Sequence, residues 1–128
     1  MNLLLDSHAF IWAYDQQHRL SQPALQAMSN TANALFLSVA SVWEIQIKIM
    51  IGKFKLQDSL TDVIAEQQQI NGLQILPIEL SHALYLENLP LYHKDPFDRL
   101  LISQAIVENM TLVSADANFA KYQVNLLW

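Results

Sequence analysis

Residues 2–14 read NLLLDSHAFIWAY, in which a short apolar run is ended by Asp6. An apolar run of this length predicts a buried strand over residues 2–5, and the segment 8–14 that follows it predicts a helix. Similar pairs of a short apolar run and a longer amphipathic segment recur along the chain. Strands that alternate with helices are typical of an α/β domain with a mainly parallel sheet.

The rest of the chain supplies the other predicted elements. Apolar runs predict strands at residues 34–37, 73–76 and 111–113, and residues 125–127 would add a fifth. Apolar residues at helical spacing predict helices over residues 20–28, 42–51, 60–70, 80–89 and 97–109. The strands are almost entirely apolar, as expected where helices cover both faces of a sheet. We therefore predict a sheet of four or five strands between layers of helices.

The composition favours one folded domain with apolar surface to spare. A chain of 128 residues is expected to form a single domain over residues 1–128. It is 52% hydrophobic and 15% charged, which excludes disorder and suggests a protein–protein interface. Since the sequence has no cysteine, disulfides, thiolate metal sites and a cysteine nucleophile are excluded.

The charge balance restricts how the chain can meet a nucleic acid. With a formal net charge of −5, it does not bind nucleic acid through bulk positive charge, which leaves a local basic patch or metal-mediated phosphate binding. The apolar N-terminal segment lacks a cationic start, and no apolar run approaches the ~18 residues of a membrane span. We therefore expect a soluble cytoplasmic protein that does not contact a membrane.

Four acids stand near the predicted carboxyl edge of the sheet. Asp6 directly follows the first strand, and Asp116 follows the fourth. Glu44 and Asp98 are each expected in the first turn of a helix. Because right-handed crossovers place the carboxyl ends of parallel strands along one edge, these side chains are expected to meet near a topological switch point.

A cluster of four carboxylates without countercharge must take up protons or bind a cation. Oxygen ligands in a chain without cysteine suit Mg²⁺ or Mn²⁺. Carboxylate-held metals of this kind activate water and neutralise phosphate charge. The cluster therefore predicts a phosphodiesterase or a phosphatase.

Each acid also has a structural interpretation as part of a helix cap. Asp6 and Asp116 are possible N-caps in the sequence, and Asp95 with Pro96 and Asp98 matches a capped helix start. Residues 41–44 (SVWE) match a capping box with the serine as N-cap and Glu44 at the third helical position. Such caps stabilise a helix by ~1 kcal/mol each and carry no chemistry.

Four segments of the chain resemble the PIN-domain family, and in particular the VapC-type toxins of bacterial toxin–antitoxin pairs. They are LLLDSHAFIWA (3–13), LSVASVWEIQIK (37–48), HKDPFDRLLISQA (93–105) and TLVSADANF (111–119), in the family's order. The resemblance implies a three-layer α/β/α sandwich that forms a single nuclease domain. It also implies an Mg²⁺- or Mn²⁺-dependent ribonuclease, a homodimer and a cognate antitoxin that keeps the enzyme inactive.

The resemblance assigns roles to individual positions of this sequence. The family's catalytic, metal-binding acids fall on Asp6, Glu44, Asp98 and Asp116. Hydroxyl or polar residues that would support them are Ser7, Ser38, Ser114 and Asn118. Asn118 stands where the family often has a further acid, which weakens the second half of the metal site. Asp95 is better assigned as a helix cap than as a ligand.

Basic side chains are needed to hold an RNA substrate. Lys94 and Arg99 flank the DPFD segment (95–98) and are the first candidates. Lys48 is a third, although its spacing of four residues from Glu44 also predicts an ordinary helix ion pair. No role is assigned to His8, His18 or His82, and His93 is interpreted as a hydrogen-bonding residue rather than a general base.

The residues alone argue against two other functions and leave two alternatives open. A haloacid-dehalogenase-type phosphatase needs a second Asp at position 8, where this chain has a histidine. A response-regulator receiver domain needs an Asp at the end of its third strand, and Leu76-Pro77 offers none. The remaining alternatives are a non-enzymatic α/β binding module and a metal-dependent phosphatase or nuclease outside a toxin–antitoxin context.

Overall fold

The computed structural model describes all residues from 1 to 128 and has five strands and six α-helices. The strands are β1 (Asn2–Leu5), β2 (Ala34–Ser38), β3 (Gln74–Leu76), β4 (Thr111–Val113) and β5 (Asn125–Leu127). The helices are α1 (Ser7–Asp15), α2 (Gln22–Ser29), α3 (Val39–Met50), α4 (Leu60–Asn71), α5 (Leu80–Tyr85) and α6 (Pro96–Val107). Short 3-10 segments cover Gln17–Arg19, Leu86–Asn88 and Ala117–Lys121.

All five strands run parallel in the order β3-β2-β1-β4-β5. The chain builds outward from β1 to β3 and then returns to the other side of β1 to place β4. The strand order therefore reverses between β1 and β4, and this reversal is the topological switch point at which ligands bind in open α/β sheets. The α/β fold with a parallel central sheet is confirmed.

The sheet is buried on both faces. In β1, Leu3 and Leu5 belong to one apolar core and Leu4 belongs to the other, since successive side chains point to opposite faces. Residues of α1, α2, α3 and α4 fill the first core, and α6 supplies most of the helical residues of the second. This arrangement explains why the strands carry no polar alternation. None of the helices has both the length and the hydrophobicity that a membrane span requires.

Several elements differ from the sequence prediction. The expected helix over residues 80–89 ends as α5 at Tyr85 and continues only as a 3-10 segment before Pro90. The 3-10 segments at Gln17–Arg19 and Ala117–Lys121 were not predicted. Short segments of this kind carry too few apolar positions to show a period.

The capping box predicted at residues 41–44 is wrong. Helix α3 begins three residues earlier than expected, and its N-cap is Ser38, whose hydroxyl accepts a hydrogen bond of 3.0 Å from the Ala40 N–H. Ser41 instead lies inside the helix with a buried hydroxyl that has no hydrogen-bond partner. Glu44 therefore lies in the second turn of α3, where it cannot bond the cap.

The two serines are expected to respond in opposite ways to alanine. Ser38→Ala removes the N-cap of α3 and is expected to lower the free energy of unfolding by about 1 kcal/mol. Ser41→Ala removes only an unpartnered buried hydroxyl and is expected to leave the stability unchanged or to raise it. Urea denaturation of both variants measures the difference. A larger loss for Ser41→Ala would restore the capping box that the structure rejects.

Candidate metal centre

The four acids singled out in the sequence line one small cavity at the carboxyl edge of the sheet. Asp6 follows β1 and Asp116 follows β4, on the two sides of the switch point. Glu44 reaches the cavity from α3 and Asp98 from the first turn of α6. The cavity has a volume of about 140 Å³. The predicted convergence of the acids is thus present in the fold.

Asp6 and Glu44 form the buried side of the cavity. They are 7% and 8% exposed, respectively. Asp6 Oδ1 accepts a hydrogen bond of 2.7 Å from the Ala9 N–H, so Asp6 is also the N-cap of α1. Glu44 Oε1 accepts a hydrogen bond of 2.5 Å from the Ser7 hydroxyl. These two bonds hold the carboxylates in place before any ligand binds.

A fifth carboxylate, that of Asp95, also faces the cavity. Its Oδ1 caps α6 by accepting bonds from the N–H groups of Phe97 and Asp98, as the sequence predicts. However, Glu44, Asp95 and Asp98 each offer a ligand atom within 4.8 Å of the others. The interpretation of Asp95 as a cap alone was therefore too narrow, because one carboxylate oxygen is enough to cap a helix.

His93 stands beside the outer pair of acids. Its Nε2 lies 2.9 Å from Asp98 Oδ2 and 3.5 Å from Asp116 Oδ2, but neither contact has the geometry of a hydrogen bond. The His93 Nδ1 accepts a bond of 3.3 Å from the Asp95 N–H. In the neutral ring the proton is therefore on Nε2. Without that proton, His93, Asp98 and Asp116 offer ligand atoms within 4.8 Å of one another and could hold a metal ion together.

Burial raises the pKa of two of the acids. For Asp6, desolvation raises the pKa, and the Ser114 hydroxyl and the Ala9 N–H oppose the rise. For Asp98, desolvation and then the carboxylates of Asp95 and Glu44 raise the pKa to about 7. The cavity is thus short of positive charge.

A single lysine is the one permanently charged cation that lines the cavity. Lys48 lines the cavity, and its Nζ lies 3.7 Å from Glu44 Oε2, in the helix ion pair that the sequence allowed. Oxygen donors that are crowded, buried and short of cations match the preference of a hard divalent cation. The donor set therefore fits Mg²⁺ or Mn²⁺.

The remaining sequence candidates lie in different surroundings. Ser114 is buried, and its hydroxyl accepts the Asp116 N–H at 3.1 Å. Asn118 is exposed and donates only its backbone N–H to Asp116 Oδ1. Ser38 caps α3 and does not line the cavity. Lys94 is exposed next to Asp95.

Arg99 was expected to contact RNA, but the structure engages its guanidinium elsewhere. Arg99 Nη1 donates to the carbonyl of Pro90 at 2.8 Å, and Nη2 lies 3.4 Å from the carbonyls of Leu86 and Leu89. Tyr122 joins the same network, since its hydroxyl bonds the Pro90 carbonyl and accepts the His93 N–H. Arg99 therefore anchors the loop that carries His93, and we do not retain it as an RNA-binding residue.

Sequence reasoning assigned no role to His8 and only a hydrogen-bonding role to His93, and the structure places both near the acids. His93 precedes the DPFD segment by two residues, and that closeness was its only sequence signal. His8 also lines the cavity, because it lies in the first turn of α1 directly after Asp6 and Ser7. Neither has the spacing of a metal-ligand motif, so a lone histidine at these positions could not be told from a surface residue.

Comparison with known proteins gives a family and a set of similar folds. A family model described as the PIN domain matches residues 3–125. No curated protein matches the chain. The fold is similar to VapBC2 from Rickettsia felis bound to a promoter DNA fragment, with a TM-score of 0.75, 19% identity and coverage of 98% of this chain and 97% of that chain.

Two further solved structures share the fold. FitAcB from Neisseria gonorrhoeae has a TM-score of 0.66 at 16% identity and covers 97% of this chain and 95% of that one. A toxin–antitoxin complex from Klebsiella pneumoniae has a TM-score of 0.62 at 16% identity, with 97% and 94% coverage. At these identities the likeness concerns the fold.

Removal of the Arg99 guanidinium is expected to loosen the loop before α6. Arg99→Ala leaves four acceptors without their charged donor, namely the Tyr122 hydroxyl and the carbonyls of Leu86, Leu89 and Pro90. We expect the free energy of unfolding to fall by about 2 kcal/mol. Urea denaturation measures this loss, and Lys121→Ala, which removes an exposed cation, is the control. If the urea midpoint of Arg99→Ala equalled that of the parent, the anchoring role of Arg99 would be contradicted.

The raised pKa of Asp98 makes the effect of metal on stability depend on pH. The pKa of Asp98 is about 7 in the folded chain, against an ordinary value of 3.8. Protonation of Asp98 therefore stabilises the metal-free fold fully below pH 3.8, and this stabilisation is lost as the pH rises through 7. A divalent cation takes the place of the proton. We therefore expect millimolar Mn²⁺ to raise the melting temperature by about 5 °C or more at pH 8, and by much less at pH 5.

The control for this experiment is Asp98→Asn, in which the pH dependence of the metal effect should be reduced. An equal rise in melting temperature at both pH values would contradict the charge deficit at Asp98. No rise at either pH would contradict the metal site itself.

Proposed function

We propose that this chain, which belongs to the PIN domain family, is a divalent-metal-dependent endoribonuclease that acts as the toxin of a toxin–antitoxin pair. The observation that carries the proposal is the convergence of Asp6, Glu44, Asp98 and Asp116 on one cavity at the switch point of a parallel sheet. A binding module without chemistry has no need to hold buried acids together against their mutual repulsion.

The four acids would hold Mg²⁺ or Mn²⁺, and Asp95 lies close enough to share in binding. The bound metal would supply a water of lowered pKa and would neutralise charge on a phosphate. Ser7 and the Ala9 N–H keep Glu44 and Asp6 oriented before the metal arrives. Because the ligands are positioned in advance, binding does not have to order them.

Other residues around the cavity act on the substrate and on the acids. The Lys48 ammonium lies at the cavity wall, where it can meet a phosphate oxygen of RNA once metal occupies Glu44. Lys94 offers a second, exposed ammonium beside Asp95. His93 places its Nε2 2.9 Å from Asp98 Oδ2 and 3.5 Å from Asp116 Oδ2, where these three side chains could share in binding a metal ion.

The partners are proposed from the surface. A groove with a cavity of about 260 Å³ opens between α1, α2 and α4, and apolar side chains such as Phe10, Leu25 and Met28 line it. An amphipathic helix of an antitoxin would bury such a groove. Leu80 and Leu84 on α5 are 73% and 61% exposed at a spacing of four residues, which suits contact with a second copy of the chain.

Substitution of one acid by its amide separates catalysis from folding. Asp6→Asn keeps the shape and removes a buried charge, so the metal-free melting temperature should stay the same or rise. The same variant should cut a fluorescent single-stranded RNA at least about 100-fold more slowly in Mn²⁺, since several kcal/mol of transition-state stabilisation depend on the metal. The control is Asp62→Asn, which changes an exposed acid on α4.

Equal rates for Asp6→Asn and the parent would refute the role of Asp6 in the metal site. If the parent itself left RNA intact with either metal, the ribonuclease proposal would fail. An adjacent gene for a small DNA-binding protein with a helical tail would support the toxin assignment separately from the chemistry.

A further inference from the structure

A second polar cavity lies next to the candidate metal centre and has no role in the function proposed above. It has a volume of about 400 Å³ and opens between α1, the 3-10 segment after it and the loop that follows α3. Three aromatic rings and three cationic side chains line it, together with one carboxylate, that of Asp15. These six residues are His8, Trp12, Phe54, Arg19, Lys53 and Lys55.

The two cavities share a wall. His8 lines both of them. Lys48 lines the metal cavity, and its Nζ lies 5.2 Å from the centre of the Phe54 ring, which lines the second cavity. An RNA strand with one phosphate in the metal cavity would therefore place a neighbouring nucleotide beside this second cavity.

The charge of the second cavity is opposite to that of the chain. The whole chain carries seven Lys and Arg residues and a net charge of −5. Three of those seven line this cavity, and Lys48 lies at its border, whereas Asp15 is the one acid that lines it. This concentration of cations is the local basic patch that an acidic protein needs if it is to bind a phosphate backbone.

The aromatic rings are fixed in place by the core. Trp12 and Phe54 are half-buried and pack against the first apolar core. The His8 ring lies 5.4 Å from Trp12 and 5.7 Å from Phe54, and the Arg19 guanidinium lies 4.6 Å above the Trp12 ring. Rigid rings bordered by cations form the platform on which single-stranded nucleic acids stack their bases.

We propose that this cavity binds one nucleotide of the RNA strand that flanks the phosphodiester at the metal centre. The base would stack on the aromatic rings of Trp12 and Phe54, and Lys53 and Lys55 would contact the flanking phosphates. The proposal rests on the proposed ribonuclease function and adds to it the place where the substrate strand is held.

Binding of RNA without cleavage tests the cavity directly. A fluorescein-labelled single-stranded RNA of ten nucleotides is titrated with the full chain in EDTA, and its anisotropy is followed at several salt concentrations. Lys53→Ala/Lys55→Ala is expected to weaken binding by about tenfold or more and to reduce the salt slope by about 1.4, which is about 0.7 for each lost phosphate contact. Phe54→Leu keeps the apolar volume and is expected to weaken binding by about tenfold through lost stacking.

The matched control is Gln68→Glu/Gln69→Glu, which makes the same two-unit change in net charge at exposed positions of α4. It is expected to bind RNA within about twofold of the parent, since exposed charges farther apart than a Debye length of ~8–10 Å are largely screened. Melting curves of all variants confirm that each one is folded. In Mn²⁺, the lysine variant should raise KM for RNA and leave kcat nearly unchanged.

The outcomes separate this proposal from the proposed function. If the parent cuts RNA and the lysine variant binds and cuts like the control, the cavity proposal is overturned and the ribonuclease stands. If the parent binds RNA through the cavity but does not cut it with either metal, the cavity proposal stands and the ribonuclease fails. If a polyglutamate peptide displaces the labelled RNA as well as unlabelled RNA of equal charge does, the cavity is a site for acidic protein segments, and the nucleotide proposal is wrong.

Discussion

Mutual repulsion among clustered carboxylates, two of them buried, is the constraint around which this molecule is arranged. Asp6, Glu44, Asp95, Asp98 and Asp116 converge on one cavity, and Lys48 is the one ammonium at its wall. Such a cluster does not form by its own attraction. It is held by the parallel pairing of β1 with β4, which places the residues after both strands side by side, and by the two apolar cores that stabilise the sheet.

Helix N-termini offset part of that repulsion. Asp6 caps α1, Asp95 caps α6 and Asp116 caps the 3-10 segment that follows β4. The first turns of these helices present unpaired N–H groups and a partial positive charge, which favour a carboxylate. Capping and metal binding are therefore not competing roles for these acids, because one carboxylate can accept an N–H at one oxygen and face the cavity with the other. The structural interpretation of each acid was correct for these three and did not argue against the site.

The charged side chains are unevenly distributed over the chain. The acids of the metal centre account for much of the net charge of −5, and four of the seven cations line the metal cavity or the second cavity beside it. Arg99 has another role, since backbone carbonyls of residues 86–90 engage its guanidinium and fix the loop before α6. An acidic chain of this kind can bind RNA where its few lysines are gathered, and metal at the centre would complete the neutralisation.

The periodicity of the apolar residues and the composition were enough to predict the α/β class, the parallel sheet and the convergence of Asp6 and Asp116. This was possible because strand order and crossover handedness follow general rules. Local signals also placed the cap at Asp95. They failed at Glu44, since the match of SVWE to a capping box is a local pattern, whereas the start of α3 depends on where β2 ends in the sheet. Local signals also could not show that His93, His8 and Asp95 lie beside the other acids, or that backbone carbonyls engage Arg99. Those positions depend on loop packing between residues far apart in the chain. Distances between such residues are set only when β1 to β5 pair and the helices close over both faces.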